Sequence, residues 1–252
     1  MSAAFMQYYI HLLRIARMVY DFSNRVVLIT GGTGALGRAV VEAFTSSNAT
    51  SIATYVTDRE AENAKIKIGT LDLVKADITK EDQVRKLVSQ VIQKHGRIDV
   101  LVNVVGSYIG GKTVSELEES EWDKMMNLNL KSAFLISKYV LPIMTHAKQG
   151  KMIHISSRTG LKSSGYDSAY AASKSGLIRL VESISEEVKE YGINVNCILP
   201  SVIDTDTNRK AMPNSDFSKW VKTGDLASLV LFLCSEEAKV INGAAIPAYG
   251  LV

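Results

Sequence analysis

Short apolar runs recur along the chain at Val26 to Ile29, Ser51 to Val56, Leu71 to Ala76, Ile98 to Val105, Met152 to Ser156, Ile193 to Leu199 and Ala244 to Ala248. Runs of this length, rich in β-branched residues, predict buried strands. Between them, apolar residues return at helical spacing over Ala35 to Ser46, Lys80 to His95, Ser120 to His146, Ser168 to Tyr191 and Asp225 to Ser235. Gly96 and Gly192 stand just past two of these segments, where a helix stop is expected. Near-continuous apolar strands alternating with amphipathic helices predict an α/β fold, a doubly wound parallel sheet of about seven strands covered on both faces.

Composition narrows this further. With 252 residues, 46% of them hydrophobic, the chain can bury the core of one domain, expected over residues 25–252 after an extension over residues 1–24. A net charge of +3 from 29 basic and 26 acidic side chains offers no concentrated field, so no nucleic-acid partner is expected. Cys197 and Cys234 sit in apolar stretches without metal or CxxC spacing, which predicts buried thiols in a reducing, cytoplasmic setting. His11, His95, His146 and His154 lack ligand spacing, so no metal is expected. They are read as surface or satisfied, partly buried residues. No apolar run approaches the ~18 residues of a spanning helix, and no membrane partner is expected. The apolar-rich stretch before Asn24 is interrupted by Gln7, His11, Arg14 and Arg17 and makes a poor signal peptide. It admits three readings: a start-site artefact with Met18 as the true start, or a disordered stretch; an amphipathic arm packing on a neighbouring subunit; or membrane contact. The segment Asp204 to Lys222 has no clean periodicity and is a candidate substrate lid.

Two motifs carry chemistry. In TGGTGALG, Thr30 to Gly37, a glycine-rich turn joins a strand to a helix, with the GxGxxG match at Gly32, Gly34 and Gly37. Gly31, Gly32, Thr33, Gly34, Leu36 and Gly37 are the candidate contacts, because backbone amides at a helix N-terminus suit a dinucleotide pyrophosphate. In YAASK, Tyr170 and Lys174 lie one helical turn apart on one face. The lysine is expected to hold the phenol below its ordinary pKa of ~10, so that it shuttles protons near neutrality. Together the motifs suggest hydride transfer in a Rossmann-like fold.

Between these motifs lie NVVG at Asn103 to Gly106 and Asn129 in WDKMMNLNLK, and Ser157 stands thirteen residues before Tyr170. In this order and spacing the chain resembles the short-chain dehydrogenase/reductase family over roughly residues 25–252. The resemblance implies an NAD(P)-dependent oxidoreductase acting on a small carbonyl or alcohol substrate, ketone or 3-oxoacyl, and assembled as a homo-oligomer, dimer or tetramer, through the long helices around Lys131 and Leu177. It implies Tyr170 as acid or base, Lys174 on the nicotinamide ribose, Ser157 on the substrate oxygen, and Asn129, with Asn127 as its rival, holding a relay water. Asn103 ties strands together and Gly106 lets the backbone pass the cofactor. Asp77 and Ile78 match the adenine contacts, although Asp77 also suits a helix cap. Pro200, Ile203 and Thr205 match the nicotinamide carboxamide contacts. The family's TGxxxGxG would place glycine at position 35, where this chain has Ala35. The family's ribose-binding acid falls at Tyr55, and the missing carboxylate favours NADP(H) over NAD(H), with Asp58 and Arg59 close behind. GGTGALG and the stretch Pro200 to Trp220 also resemble the dihydropteridine reductase branch, which lacks a serine at the place of Ser157. A pterin or quinonoid reductase is the alternative, and a non-catalytic dinucleotide sensor stands behind it.

Overall fold

The structure, a computed structural model, describes residues 20–64 and 71–252; the expectations for residues 1–19 fall outside them. The predicted runs form β1 (Val26–Thr30), β2 (Thr50–Tyr55), β3 (Leu71–Lys75), β4 (Val100–Asn103), β5 (Gly150–Ile155) and β6 (Ile193–Pro200). A short pair, β7 (Ile203–Asp204) and β8 (Val221–Lys222), precedes β9 (Ala245–Ala248). The main sheet runs β3-β2-β1-β4-β5-β6-β9, parallel throughout. Strand order reverses between β1 and β4, where Thr30 pairs with Asn103. Sheets of this kind bind ligands outside the carboxyl ends of the strands at such a reversal.

The helices are α1 (Ala35–Ser46), α2 (Asp58–Ala64), α3 (Glu81–His95), α4 (Glu119–Met125), α5 (Ser132–Ala147), α6 (Ser168–Val188), α7 (Asp206–Ala211) and α8 (Thr223–Cys234). The pleat sends alternate residues to opposite faces. Val26 and Leu28 of β1 join Leu101 and Met152 under α3, α5 and α6, among Leu87, Ile136 and Leu177. Val27 and Ile29 join Val102 and Ile153 under α1 and α8, among Val40, Phe44 and Val230. Phe44 is fully buried and meets Phe22 edge to face at 4.9 Å. Phe44→Ala is expected to cost about 3–5 kcal/mol, read from a denaturant midpoint at unchanged slope.

Three elements differ from the sequence reading. The helix expected over Ser120 to His146 is α4 and α5 joined by a π-helical stretch, Met126–Lys131, that contains Asn129. A wide turn within a helical run often marks a functional position. The helix expected to reach Tyr191 ends at Val188 and tightens into a 3₁₀ turn, Lys189–Tyr191, before Gly192 turns the chain with φ +68°. The aperiodic stretch after Asp204 is an ordered unit. Arg209 and Lys222 both hold the Asp204 carboxylate, at 2.6 and 2.5 Å, and push its pKa well below the carboxylate range.

Candidate active site

The glycine turn separates steric need from open space. Gly31 has φ +65°, which favours glycine, and its N–H donates to Thr54 Oγ1 at 3.0 Å. A β-carbon on Gly32 would lie 2.5 Å from that of Ala53, and one on Gly37 would run into the Gly31 carbonyl oxygen. Gly34 is different. It is exposed, and a β-carbon there would meet only Gly31 O, at 3.4 Å. Gly34 is the N-cap of α1, with no side-chain cap and no acidic residue in the first turn. Half-buried Ala35 opens the helix, and Leu36 is turned into the core, leaving its backbone for any contact. The amides of α1 thus face a surface that suits an anion, and the turn fits a pyrophosphate. Thr33 is half-buried beside it.

At the other end of this crevice Tyr55 closes β2, so no carboxylate occupies that position. Sequence reasoning missed Glu60, whose Oε2 accepts the amides of Val56 at 3.0 Å and Thr57 at 3.4 Å. The signal was present in the T-x-x-E spacing of Thr57 and Glu60, a capping pattern. Asp58 pairs with Lys75 at 2.9 Å. Asp77 accepts from Thr79 N and Oγ1, at 2.9 and 2.7 Å, and so caps the turn into α3. Ile78 is in the core.

The catalytic candidates converge at the carboxyl ends of β4 and β5. Asn129 is buried while Asn127 is exposed, which decides between them. Asn129 Oδ1 accepts Ser107 N at 2.9 Å, and its Nδ2 donates to Ser107 O and Ser173 Oγ, each at 3.0 Å. A β-carbon on Gly106 would lie 2.9 Å from Asn129 Oδ1 and 3.1 Å from Lys174 Nζ, so this glycine makes room for both groups. Lys174 is 4% exposed, and its Nζ donates to Ile155 O at 2.8 Å. Ser156 is structural, donating to Lys174 O at 2.9 Å. Ser157 follows it, buried at the start of a 3₁₀ turn, and accepts Thr159 N at 3.2 Å.

Asn103 ties strands, as its sequence position suggested. Thr30 Oγ1 donates to its Oδ1 at 2.5 Å, and its Nδ2 faces His154 Nδ1 at 3.2 Å. An amide nitrogen only donates, so His154 carries its proton on Nε2, facing Ser137 Oγ at 3.3 Å. His154 is fully buried rather than partly so, and burial first, then the Lys174 charge, lowers its pKa to about 4. It is neutral and structural at physiological pH.

The expected lowering of the Tyr170 pKa by Lys174 is corrected by the structure. Burial raises the phenol above its ordinary value, a Ser157 hydrogen bond opposes the rise, and Asp167 adds to it. The lysine is itself desolvated, its pKa lowered to about 8, and its ammonium lies 5.9 Å from the Tyr170 ring centre. The half-buried Tyr170 and the buried Lys174, one helical turn apart, each respond first to lost water. The consequence favours donation, because Tyr170 is a protonated acid at neutral pH.

Pro200 ends β6, and Ile203 lies in β7. Asn208 Nδ2 donates to Ile203 O at 2.8 Å, and Thr205 Oγ1 accepts Asn208 N at 3.1 Å. The Thr205 hydroxyl keeps its proton to donate. Among the described residues no cluster of three or more His, Cys, Asp or Glu side chains could hold a metal ion. None of their helices is long and apolar enough to cross a membrane.

The family model described as short chain dehydrogenase matches residues 25–216. The 3-oxoacyl-acyl-carrier-protein reductase FabG of Thermotoga maritima is 31% identical, over 88% of this chain and 95% of that protein. Dehydrogenase/reductase SDR family member 6 of Aquarana catesbeiana is 32% identical, over 88% of this chain and 94% of the other. Among solved structures, levodione reductase superposes with a TM-score of 0.84 at 28% identity, covering 91% of this chain and 98% of that one. ElxO with NADP bound gives 0.84 at 27% identity, covering 90% and 97%. With the glycine turn, the buried Asn129 and Lys174, and Ser157 and Tyr170 at the same end of the sheet, these matches assign the chain to the short-chain dehydrogenase/reductase family, as an NAD(P)-dependent oxidoreductase.

Proposed function

We propose that the protein reduces a ketone or 3-oxoacyl carbonyl to an alcohol with NADP(H), through Tyr170, Ser157, Lys174 and Asn129. The observation that carries this reading is the Tyr170 phenol, held above its ordinary pKa and so protonated at neutral pH, with the buried Lys174 one helical turn away. When bound, the nicotinamide supplies the hydride that the carbonyl carbon accepts. Tyr170 gives its proton to the carbonyl oxygen, and Ser157 donates a hydrogen bond to that oxygen as its charge develops. Lys174 holds the carboxyl end of β5 through Ile155 O, and Asn129 fixes the loop after β4 through both backbone groups of Ser107. Gly34 and the first amides of α1 would hold the pyrophosphate, Asp77 and Ile78 the adenine side, and Ile203 and Thr205 the carboxamide.

NADP(H) is favoured because position 55 carries tyrosine and no carboxylate, although Glu60 occupies the next two amides, and one structural relative holds NADP. A serine at position 157 beside Tyr170 and Lys174 supports ketone chemistry over pterin chemistry, and the retained acid supports turnover over sensing. Residues 25–252 act as one catalytic domain in this reading. In this reading the protein acts in the cytoplasm, which the free, buried thiols of Cys197 and Cys234 support. It assembles as a dimer or tetramer through its long helices, of which α5 exposes Phe134 while Leu177 of α6 stays in the core. Purified protein mixed with NADPH and a panel of ketones is expected to consume nucleotide and alcohol-forming substrate one for one. Nucleotide binding with no carbonyl consumed across the panel would contradict the reading.

A further inference from the structure

Two loops meet beside Tyr170 in an arrangement that the proposed chemistry does not use. The Tyr108 hydroxyl donates to Asp167 Oδ1 at 2.8 Å, between residues 59 apart in sequence. The Tyr108 ring stands edge-on to Tyr170, with centres 5.0 Å apart and planes at 83°. Gly111 N donates to Tyr166 O at 2.8 Å, closing the same two loops through the backbone. Gly110 leaves space for this contact, since a β-carbon there would lie 2.5 Å from Asp167 Oδ1. On the other side, Asn129 grips both backbone groups of Ser107, the residue before Tyr108. Tyr108 is thus fixed at both ends yet remains 60% exposed.

Asp167 is the N-cap residue of α6 and makes no side-chain cap bond, so the helix N-terminus offsets only part of its charge. Asp167 is half-buried and, among the described residues, takes part in no ion pair. Its partner is a phenol that donates as a neutral hydroxyl, so that contact leaves the negative charge in place. Lys174 does not neutralise it, being buried and bonded to Ile155 O. A carboxylate that no side-chain cation pairs, beside the exposed Tyr108, attracts a cation through its charge.

We propose that Tyr108 and Asp167 form a substrate subsite that favours ring carbonyl compounds bearing a positive charge over neutral or anionic ones of the same shape. This rests on the reductase reading and adds the substrate's charge to it. The test uses three ring probes: the quaternary dimethylpiperidinone cation, the isosteric dimethylcyclohexanone, and the oxocyclohexane carboxylate anion. Reduction with NADPH and calorimetric binding of the corresponding alcohols are both measured, for wild type, Asp167→Asn and Tyr108→Phe. The Asp167→Asn side chain would keep an oxygen for the Tyr108 hydroxyl while removing the charge. Because Asp167 also raises the Tyr170 pKa, the ratio between probes is read, in which any change in acid strength cancels.

Wild type is expected to favour the cation over the neutral ring by about tenfold in kcat/KM, carried by KM, the size of one partly screened charge interaction. Asp167→Asn brings that ratio close to one, and Tyr108→Phe preserves it. An equal ratio in wild type and Asp167→Asn would overturn the proposal, as would a Tyr108→Phe ratio that falls as far as that of Asp167→Asn. Wild type that reduces none of the probes would count against the reductase reading, and the binding ratio of the alcohols would still decide the subsite.

Discussion

Tyr170→Phe is expected to lower kcat/KM for carbonyl reduction by about 10²- to 10⁴-fold, the usual contribution of a positioned proton donor. The change removes the phenolic hydroxyl and leaves the ring packed against Tyr108. Stability should change by about 1 kcal/mol, the net worth of one hydrogen bond. Dinucleotide affinity should hold within about threefold, since binding contacts that do not change between ground and transition state are untouched. Steady-state kinetics and calorimetry on one preparation check all three. Undiminished turnover would remove Tyr170 from the chemistry.

Lys174→Met should lower kcat/KM by at least about 10²-fold, because it takes away a preorganised cation and the anchor of the strand end that leads to Ser157. Its second signature is in stability against pH. Burial lowers the lysine from 10.5 to about 8 in the folded protein. Between these values the unfolded chain holds the proton more tightly, so folded stability rises with pH across the window and is lost as pH falls through about 8. The variant lacks this component. The difference in unfolding free energy between wild type and Lys174→Met should therefore shift in favour of wild type from about pH 7.5 to about pH 9.5, read by denaturant titration, the first value lying below the folded lysine's pKa of about 8 and the second inside the window that ends at 10.5. A difference independent of pH would contradict a desolvated lysine.

The parts legible in the sequence were those fixed by local sterics or by period. The apolar runs placed every strand of the main sheet within two residues or so. The glycine turn was readable because Gly31, Gly32 and Gly37 answer to backbone shape and close packing within a few residues. Tyr170 and Lys174 were found by their helical spacing and Asn129 and Ser157 through the family resemblance, and the structure brings them to one end of the sheet. The π-helical stretch was not readable, because helical periodicity does not show a locally widened turn. The pair of Tyr108 and Asp167 depends on two loops far apart in sequence. The Tyr170 pKa was misjudged for a related reason: the charge one turn away is visible in the sequence, and the burial of both groups is not.

A crystal structure of the protein with NADP⁺ bound is the most direct test of the central claim. The expected result places the pyrophosphate on the amides that follow Gly34 and the nicotinamide ring beside the Tyr170 hydroxyl, with Lys174 reaching the adjoining ribose. A nucleotide held elsewhere on the protein, or a ring turned away from Tyr170, would contradict it.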